Sequence, residues 1–289
     1  MQKPIHLNVA KEGLEVDLNS KPPFSKGDMK RAGKALMAGE GLDVEKYEDI
    51  LVWHDSLIAE TWRLCDEAIA DYRAAVSNSG LIYQLDGEVV RGGRTKSEDT
   101  LVAKLARINI GLESVQDFAG ARYDIPCGLT AQREIARRMV GVLEAAGGNV
   151  EVKDYLVDHQ HGYRAIHLWV RSNAGRIEVQ VRTTLQAKWA NLNESLGDKV
   201  GRGIRYGEPT IEEYGEAFPI IQRVRFFSDA IRSLEERREA LLRDLSSEAD
   251  VATELLQRGW AKSSQEELEL VELMRRTSNE IFYLEGRGQ

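Results

Sequence analysis

The chain has 289 residues, of which 42% are hydrophobic and 30% are charged, and its formal net charge is -8 at pH 7. This composition excludes a disordered or collagen-like chain and predicts one catalytic domain with helical additions. The acidic total argues against a large, uniformly basic nucleic-acid surface, although it leaves room for a local basic patch.

The spacing of the cysteines and the distribution of apolar residues bear on where in the cell the protein is expected. Cys65 and Cys127 are far apart and belong to no motif typical of a disulfide framework or a zinc site. No signal peptide, transit peptide or long apolar run is recognised in the sequence. We therefore expect a cytoplasmic protein that does not bind a membrane.

Residues 1–79 are predicted to form an N-terminal helical extension. Ser25 is placed to cap a helix that ends at Gly39, and a longer helical pattern runs over residues 44–76. The longer helix contains the dipeptide His54-Asp55, which in some metal-dependent phosphohydrolases belongs to a larger set of ligands. Because the chain has only five histidines and no second set precedes the dipeptide, we interpret it as a surface feature of the helix.

The segment from residue 94 to residue 107 predicts a helix whose N-terminus binds a polyanion. Ser97 is placed to cap this helix, and acidic residues suit its first turn. Four cations and one hydroxyl group occur in or just before the helix: Arg94, Lys96, Thr100, Lys104 and Arg107. The last three share one helical face, so the set suits a triphosphate.

A strand is predicted over residues 115–125, with Asp117 at its entrance. In a regular strand the side chains of Asp117 and Arg122 would point to opposite faces of the sheet. We therefore place Asp117 at the start of the strand or on a bulge. An amphipathic helix over residues 131–146 and another strand over residues 150–157 follow.

Two alternating segments, residues 163–171 and 176–182, predict a β-hairpin with its turn at residues 172–175. One face of the hairpin is apolar and is expected to face the core. The opposite face carries Tyr163, His167, Glu178, Gln180 and Arg182. This set exceeds what solubility requires, and we interpret it as the floor of a site.

Two carboxylates from different elements, Asp117 and Glu178, are candidate ligands of Mg²⁺, which prefers oxygen and usually keeps water and substrate phosphates in its shell. Together with the cations of residues 94–107 they predict phosphoryl or pyrophosphoryl transfer. Glu178 is alternatively the general base for an acceptor hydroxyl, and the ring of Tyr163 is suited to stacking on a base. No Walker motif or kinase glycine-rich loop is present, which excludes the usual ATP-binding folds.

Four motifs, in this order, resemble the synthetase domain of the RelA/SpoT family over roughly residues 80–207. They are Arg94-x-Lys96-x3-Thr100-x3-Lys104-x2-Arg107, Gln116-Asp117-Phe-Ala-Gly120-Ala-Arg122, Gly162-Tyr163-Arg-Ala-Ile-His167 and Glu178-Val-Gln180-Val-Arg182-Thr183. The resemblance implies an α/β (α+β) fold, with a mixed β-sheet flanked by helices and related to nucleotidyltransferases. A C-terminal helical extension is expected over residues 208–289.

The resemblance also implies an activity, namely transfer of the β,γ-pyrophosphate of ATP to a ribose 3′-hydroxyl. The chain is similar to the small alarmone synthetases, which make (p)ppGpp from GDP or GTP. By this likeness Arg94 and Arg122 would sandwich the adenine of ATP. Its phosphates would be held by Lys96, Thr100, Lys104 and Arg107.

The likeness assigns the remaining site residues as well. Asp117 and Glu178 would be catalytic and would hold Mg²⁺. Tyr163 would stack on the acceptor base. The acceptor site would also be lined by His167, Gln180 and Arg182.

Because of two departures from the family pattern, more than one acceptor molecule is considered. Asp158-His159-Gln160 occurs where many members carry a Pro-Lys pair, whose cation serves the phosphates of the guanine nucleotide, and Ser195 occurs where histidine is common. One alternative is therefore a toxin that pyrophosphorylates the 3′ end of tRNA and has an antitoxin protein as partner. Its basic track would include residues 133–138, Arg202 and Arg205.

A second alternative is an inactive nucleotide-binding regulatory module, which the two carboxylates argue against. Charged helices with apolar spines are predicted over residues 217–246 and 266–284. They suit packing or dimerisation, so a homo-oligomer is a further expectation.

Overall fold

The structure, a computed structural model, describes residues 15–79, 85, 87–157, 161–205, 209–247 and 253–284. The helices are α1 Lys26–Ala38, α2 Val44–Ser79, α3 Glu98–Ile108, α4 Leu129–Ala145, α5 Thr184–Val200, α6 Ile211–Tyr214, α7 Phe218–Ser247 and α8 Thr253–Tyr283. The strands are β1 Val90–Thr95, β2 Ala119–Ile125, β3 Asn149–Asp154, β4 Ile166–Arg171 and β5 Arg176–Thr183. In the described part of the chain, every helix is too short or too polar to cross a membrane.

The five strands form one mixed sheet in the order β1-β2-β5-β4-β3. The central neighbours β2 and β5 are parallel, and the other three pairs are antiparallel. The predicted hairpin is confirmed as β4 and β5, whose turn is closed by a 2.9 Å hydrogen bond from the Ser172 amide to the Gly175 carbonyl. The predicted fold class, a mixed β-sheet flanked by helices, is therefore correct.

One face of the sheet is covered by α2 and α4. The alternate side chains of β2, β4 and β5 are buried there, and Leu168 and Val179 have no exposed surface. Each such aliphatic side chain stabilises the fold by about 1.5–3 kcal/mol. The long helix α2 is also fixed by polar contacts, since Trp53 Nε1 donates to the Ala174 carbonyl at 2.8 Å.

A second core joins α5 to the helices that follow it. Trp189 of α5 packs with Val224 and Phe227 of α7 and with Met274 of α8 in one buried cluster. The predicted domain limits, at residues 79 and 207, remain a prediction. The C-terminal helices nevertheless share a hydrophobic core with α5, which lies inside the predicted domain.

Several predicted element boundaries differ from the structure. The strand predicted from residue 115 begins at Ala119, because a 3₁₀ turn at Leu112–Ser114 and a second turn occupy the residues before it. The strand predicted to reach residue 157 ends at Asp154, whose Oδ1 accepts a 2.9 Å bond from the Leu156 amide and turns the chain. Helix α8 begins well before the predicted residue 266.

The interpretation of His54 as a surface residue is wrong. Its side chain is buried, and its ring packs edge-on against Phe118 at a centroid distance of 4.8 Å. Nδ1 of His54 lies 2.7 Å from the Ile50 carbonyl. The burial lowers the pKa of His54 to about 4. His54 is therefore a neutral core residue on the stripe that also contains Ile50 and Leu57.

Candidate active site

The side of the sheet away from α2 and α4 carries the polar residues of three strands. Parallel pairing of β2 with β5 aligns Gly120 with Glu178 and Arg122 with Gln180, while antiparallel pairing places His167 of β4 opposite Gln180. Directly paired residues point to the same face of a sheet. We call this surface the polar face; it carries Arg122, His167, Glu178, Gln180 and Arg182.

Asp117 lies in the turn that leads into β2, as expected, and two lysines contact it. Lys104 Nζ is 2.6 Å from Oδ1 of Asp117, and Lys96 Nζ is 3.1 Å from Oδ2. The turn is fixed from both sides, because the Lys96 amide donates to the Phe118 carbonyl and Gln116 Nε2 donates to two carbonyls of the hairpin. The structure thus brings one acid and two of the predicted phosphate-binding cations together.

Helix α3 directs Lys104 toward that turn. Leu101 and Leu105 are buried one turn apart, which fixes the rotation of the helix. Ser97 occupies the N-cap position, but its hydroxyl donates to Thr100 Oγ1 at 2.9 Å and makes no capping bond to the backbone. The predicted side-chain cap is therefore wrong, although the predicted helix start is right. Arg107 is exposed in the last turn of α3.

Arg94 and Arg122 lie on the polar face, and each has a glycine opposite it. Arg94 of β1 pairs with Gly120 of β2, and Gly92 pairs with Arg122. The Arg122 guanidinium reaches over Gly92, where a Cβ would lie 3.5 Å from its Nη2 atom. The glycines leave the space between the two arginines free of side chains from β1 and β2.

Glu178 is buried in the middle of the polar face and accepts hydrogen bonds from three side chains. Trp169 Nε1 donates to its Oε1 at 2.9 Å, Gln180 Nε2 donates to its Oε2 at 2.8 Å, and His167 Nδ1 lies 3.0 Å from Oε1. Burial alone raises the pKa of a carboxyl group. Here the hydrogen bonds from His167, Gln180 and Trp169 outweigh the burial and lower the pKa of Glu178 to about 2. Glu178 is therefore ionised at neutral pH.

Tyr163, His167 and Glu178 form a chain of contacts. The Tyr163 hydroxyl lies 2.7 Å from His167 Nε2, on the ring edge opposite to the contact between Nδ1 and Glu178. Because Glu178 is ionised, we assign the ring hydrogen to Nδ1, which donates to Glu178, and let the tyrosine hydroxyl donate to Nε2. Tyr163 precedes the first residue of β4, although the sequence predicted that the strand begins with it.

Arg182 occupies a deeper position than the other predicted acceptor residues. Its side chain is 2% exposed, and its Nε donates to Asp124 Oδ1 at 3.2 Å. Arg122 Nε lies 3.5 Å from the other oxygen of Asp124. Asp124 pairs with Arg182 and therefore links the two arginines on the polar face itself; it is a site residue that the sequence analysis did not select.

Three further residues of the site were missed. Trp169 lies two residues after His167 on β4, so both side chains point to the polar face. In the sequence, its large apolar ring resembles that of a core residue. Lys153 of β3 pairs with His167, and its Nζ lies 4.9 Å from the centre of the Trp169 ring. Tyr155 packs edge-on against His167 at 4.8 Å. The alternation of side chains along β4 is enough to identify Trp169 from the sequence. Lys153 can be identified only when the pairing of β3 with β4 is known.

The residues that depart from the family pattern are placed as follows. Asp158, His159 and Gln160 lie outside the described residues. Ser195 is exposed on α5, where its hydroxyl donates to the Asn191 carbonyl at 3.0 Å. Ser195 therefore completes a bond within its own helix.

Residues 93–200 match the model described as a region found in RelA / SpoT proteins. The chain contains a RelA/SpoT domain. All the predicted site residues from Arg94 to Arg182 fall within the matched region.

Relatives that resemble the chain beyond the RelA/SpoT domain include uncharacterized protein Rv1366 of Mycobacterium tuberculosis and uncharacterized protein Mb1401 of Mycobacterium bovis. Each is 40% identical over 197 residues, which span 67% of this chain and 66% of the relative. The chain therefore aligns with slightly less than two thirds of the length of these proteins.

The solved structures that are similar to the chain include the following two. One is a GTP pyrophosphokinase family protein from Streptococcus pneumoniae, with a TM-score of 0.49, 20% identity and coverage of 69% of this chain and 96% of that one. The other is the complex between the Type VI effector Tas1 and its immunity protein, with a TM-score of 0.35, 16% identity and coverage of 63% and 98%.

The acidic residues of the predicted site suit a divalent cation that is bound together with a substrate. Among the described residues, no group of three or more histidine, cysteine or acidic side chains is arranged to hold a metal ion. Asp117 is the more accessible of the two predicted carboxylates, and its neighbours are lysines that are equally suited to phosphates. Mg²⁺ is commonly held by one or two carboxylates plus substrate phosphates, and this donor set fits that arrangement.

A pocket of about 320 Å³ lies away from the polar face, between the start of α1 and the β4–β5 turn. Its lining includes Ser25, His54 and Phe118 and none of the predicted site residues. The chemistry of the side chains on the polar face, and not this pocket, therefore indicates the site.

Proposed function

We propose that the RelA/SpoT domain transfers the β,γ-pyrophosphate of ATP to the 3′-hydroxyl of GDP or GTP and makes (p)ppGpp, as a small alarmone synthetase does. The observation that carries the proposal is the alignment of β2 with β5. Ala119, two residues after Asp117 and its two lysine partners, pairs with Ile177, the residue before Glu178 on the neighbouring strand. Two lysines that would bind phosphate thus lie toward the same end of two adjacent parallel strands as the ionised Glu178.

The ATP half is supported by the β1–β2 pair and by α3. Arg94 and Arg122 provide guanidinium planes with glycines opposite them, an arrangement suited to stacking on both sides of adenine. Lys96 and Lys104 would exchange their contacts with Asp117 for the phosphates of ATP. Thr100 and Arg107 continue this row along α3 and would hold the same phosphates.

Asp117 and Glu178 would hold Mg²⁺ together with the phosphates. The ion, when bound, would supply positive charge to the phosphate oxygens as negative charge develops on them. The residues of the chain position the two substrates and complete the neutralisation of charge.

The acceptor half is supported by the cluster around Tyr163. Its ring is partly buried beside Tyr155 and His167, and would stack on the guanine. Lys153, whose Nζ lies 2.5 Å from Glu151 Oε1, provides a cation on the polar face beside Trp169. It would serve the 5′ phosphates of the acceptor, the role for which the Pro-Lys pair is missing at residues 158–160.

In the proposed reaction the acceptor 3′-oxygen attacks the β-phosphorus of ATP. The bond from that phosphorus to the oxygen bridging it to the α-phosphorus breaks, and AMP leaves with the bridging oxygen. The hydroxyl proton passes to Glu178 and then to water. A carboxyl group with a pKa of about 2 is a weak base, but a loose phosphoryl-transfer transition state depends mainly on positioning and charge.

Transfer to the 3′ end of tRNA is less well supported. The basic track expected for it is already paired with acids, since Arg133 contacts Asp154 and both Arg137 and Arg138 contact Glu134. Arg202 lies 3.7 Å from Asp198. Each pairing lowers the positive potential that an acceptor stem would require. An antitoxin partner and a homo-oligomer remain expectations of the family resemblance.

One assay separates the acceptors. The purified chain is incubated with Mg²⁺ and ATP labelled at the γ-phosphate, and GDP, GTP and deacylated tRNA are offered in parallel. Labelled guanosine tetraphosphate or pentaphosphate supports the proposal, and label on tRNA supports the toxin alternative. Binding of ATP without any transfer would indicate the regulatory module.

A further inference from the structure

Helix α7 packs directly beneath the segment that carries Tyr163. The Ser228 hydroxyl of α7 donates to the Gly162 carbonyl. Gly162 has a φ of 86°, and a Cβ built there would lie 3.0 Å from Ser228 Cβ and 3.1 Å from Trp189 Cζ2. Glycine is needed at this position both for the left-handed backbone and for the close approach to α5 and α7.

The residue on the other side of Tyr163 is also fixed by α7. The Arg164 guanidinium lies 3.3 Å from the Glu235 carboxylate, and the two side chains are 4% and 5% exposed. Glu235 also accepts a bond from the Thr183 hydroxyl at 2.5 Å and from Gln186 Nε2 at 3.2 Å. A buried charge with this many partners allows little movement of the groups around it.

These two contacts hold the backbone immediately before and after Tyr163. The intervening side chain is thereby directed toward His167, where its hydroxyl makes the 2.7 Å contact. The predicted ATP-binding residues lie elsewhere, on β1, α3 and β2, whereas α7 packs against α4, α5 and α8. Helix α7 is thus coupled to one half of the site.

We propose that Ser228 and Glu235 are positioning residues for the acceptor nucleotide. Acting through Gly162 and Arg164, they hold Tyr163 in the orientation that stacks on the acceptor base. This inference deepens the proposed function and rests on it. It gives the C-terminal helices a role in substrate binding, beyond the packing or dimerisation expected from the sequence.

Two substitutions test the proposal, and each has a matched control on the same helix. Ser228→Ala removes one hydroxyl, with exposed Ser233→Ala as its control; Glu235→Gln removes the charge opposite Arg164, with exposed Glu236→Gln as its control. We expect the KM for GDP to rise about tenfold in the two test variants, with the KM for ATP changed less than about twofold. The controls should match the wild type in both constants.

Hydrogen exchange followed by mass spectrometry gives a readout that needs no ligand. Amides of residues 161–166 should exchange faster in Ser228→Ala and Glu235→Gln than in the controls, while residues 94–107 should be unchanged. Unchanged exchange at residues 161–166 would overturn the proposal. Equal increases in both KM values, or a uniform rise in exchange, would also overturn it, because they would indicate a merely structural role.

Failure of the proposed function gives a different result. If the wild type makes no product with GDP, GTP or tRNA, the enzymatic proposal is contradicted. The coupling of α7 to the Tyr163 segment is then decided by the exchange measurement alone. Ser228→Ala is conservative enough to remain folded if Glu235→Gln does not, and the melting temperature of each variant is recorded first.

Discussion

The ammonium group of Lys104 lies 2.6 Å from the carboxylate of Asp117, although the two residues belong to different elements of the domain. Lys104 is part of helix α3, and Asp117 is in the turn before β2. Their side chains are about one fifth exposed, so the pair is accessible to a ligand. A triphosphate that binds here would contact Lys104, which is paired with Asp117. The Asp117 carboxylate could then bind a metal ion instead.

Replacement of Lys104 by methionine should weaken ATP binding. The substitution removes one phosphate-binding cation and leaves Asp117 with Lys96 as its cationic partner. We expect the Kd for ATP, measured by isothermal titration calorimetry with Mg²⁺, to rise about tenfold, equivalent to about 1.4 kcal/mol. Lys34→Met, on the exposed side of α1, is the control. An unchanged Kd in Lys104→Met would show that the row along α3 does not bind the phosphates.

Gly93 and Gly120 face opposite sides of the sheet and should respond differently to substitution. A Cβ at Gly93 would lie 2.7 Å from the Gly120 carbonyl oxygen and 2.8 Å from Trp62 Cζ2. Gly93→Ala should therefore lower the free energy of unfolding by about 1–3 kcal/mol, as overpacking does. Chemical denaturation measures this loss.

Gly120 has room for a side chain, because the nearest atom to a built Cβ is the Arg94 carbonyl oxygen at 3.9 Å. Gly120→Val should leave the fold intact and place its methyl groups between Arg94 and Arg122. We expect the Kd for ATP to rise at least about tenfold with little change in melting temperature. Retained ATP affinity in a folded Gly120→Val variant would exclude stacking of adenine between the arginines.

The sequence was sufficient for the parts of the site that local periodicity determines. Alternation along residues 163–171 and 176–182 correctly separated the apolar face, with Leu168 and Val179 fully buried, from the polar face. The same reasoning missed Trp169, because a large apolar ring at a polar-face position resembles a core residue. Its Nε1 bond to Glu178 becomes evident only in the structure.

Long-range pairing is what the sequence did not reveal. The parallel register of β2 and β5 aligns Asp124 with Arg182, and no local pattern specifies which residues of separated strands become partners. The contact between Ser228 and Gly162 joins residues 66 positions apart. Such contacts depend on how helices dock on the finished sheet.

Lys153 is expected to contribute to binding of the acceptor and not of ATP. Lys153→Met removes the cation beside Trp169 and should raise the KM for GDP several-fold, because the 5′ diphosphate loses a charge partner. The KM for ATP should stay within about twofold. Lys188→Met, an exposed lysine of α5, is the control. If tRNA is the acceptor, its terminal nucleoside has no 5′ diphosphate, and Lys153→Met should leave the transfer rate unchanged.

Glu178→Gln should lower kcat. The amide keeps nearly the same volume but removes the negative charge that accepts bonds from His167, Trp169 and Gln180. Loss of a base or charge-stabilising group typically costs about 10²–10⁴ in rate. Exposed Glu144→Gln on α4 is the control. Because the pKa of Glu178 is lowered to about 2, the wild-type rate should show no decline from this group between roughly pH 5 and 9.

His54 should make the stability of the fold depend on pH. Burial lowers the pKa of His54 from 6.5 to about 4, so between these values the unfolded chain binds a proton that the folded chain does not. Stability therefore falls as the pH falls through this window, by roughly 3 kcal/mol in total from this group. The contribution of His54 to stability is complete above pH 6.5 and does not change further below about pH 4.

His54→Phe separates this effect from the titration of the carboxyl groups. The substituted ring keeps the contacts with Phe24 and Phe118 but cannot be protonated. Denaturation curves recorded from pH 7 to pH 4 should show the wild type losing stability faster than the variant. Because the variant lacks the bond to the Ile50 carbonyl, it should be the less stable protein at pH 7, with the difference shrinking at lower pH. Parallel curves for the two proteins would mean that His54 is not held neutral in the core.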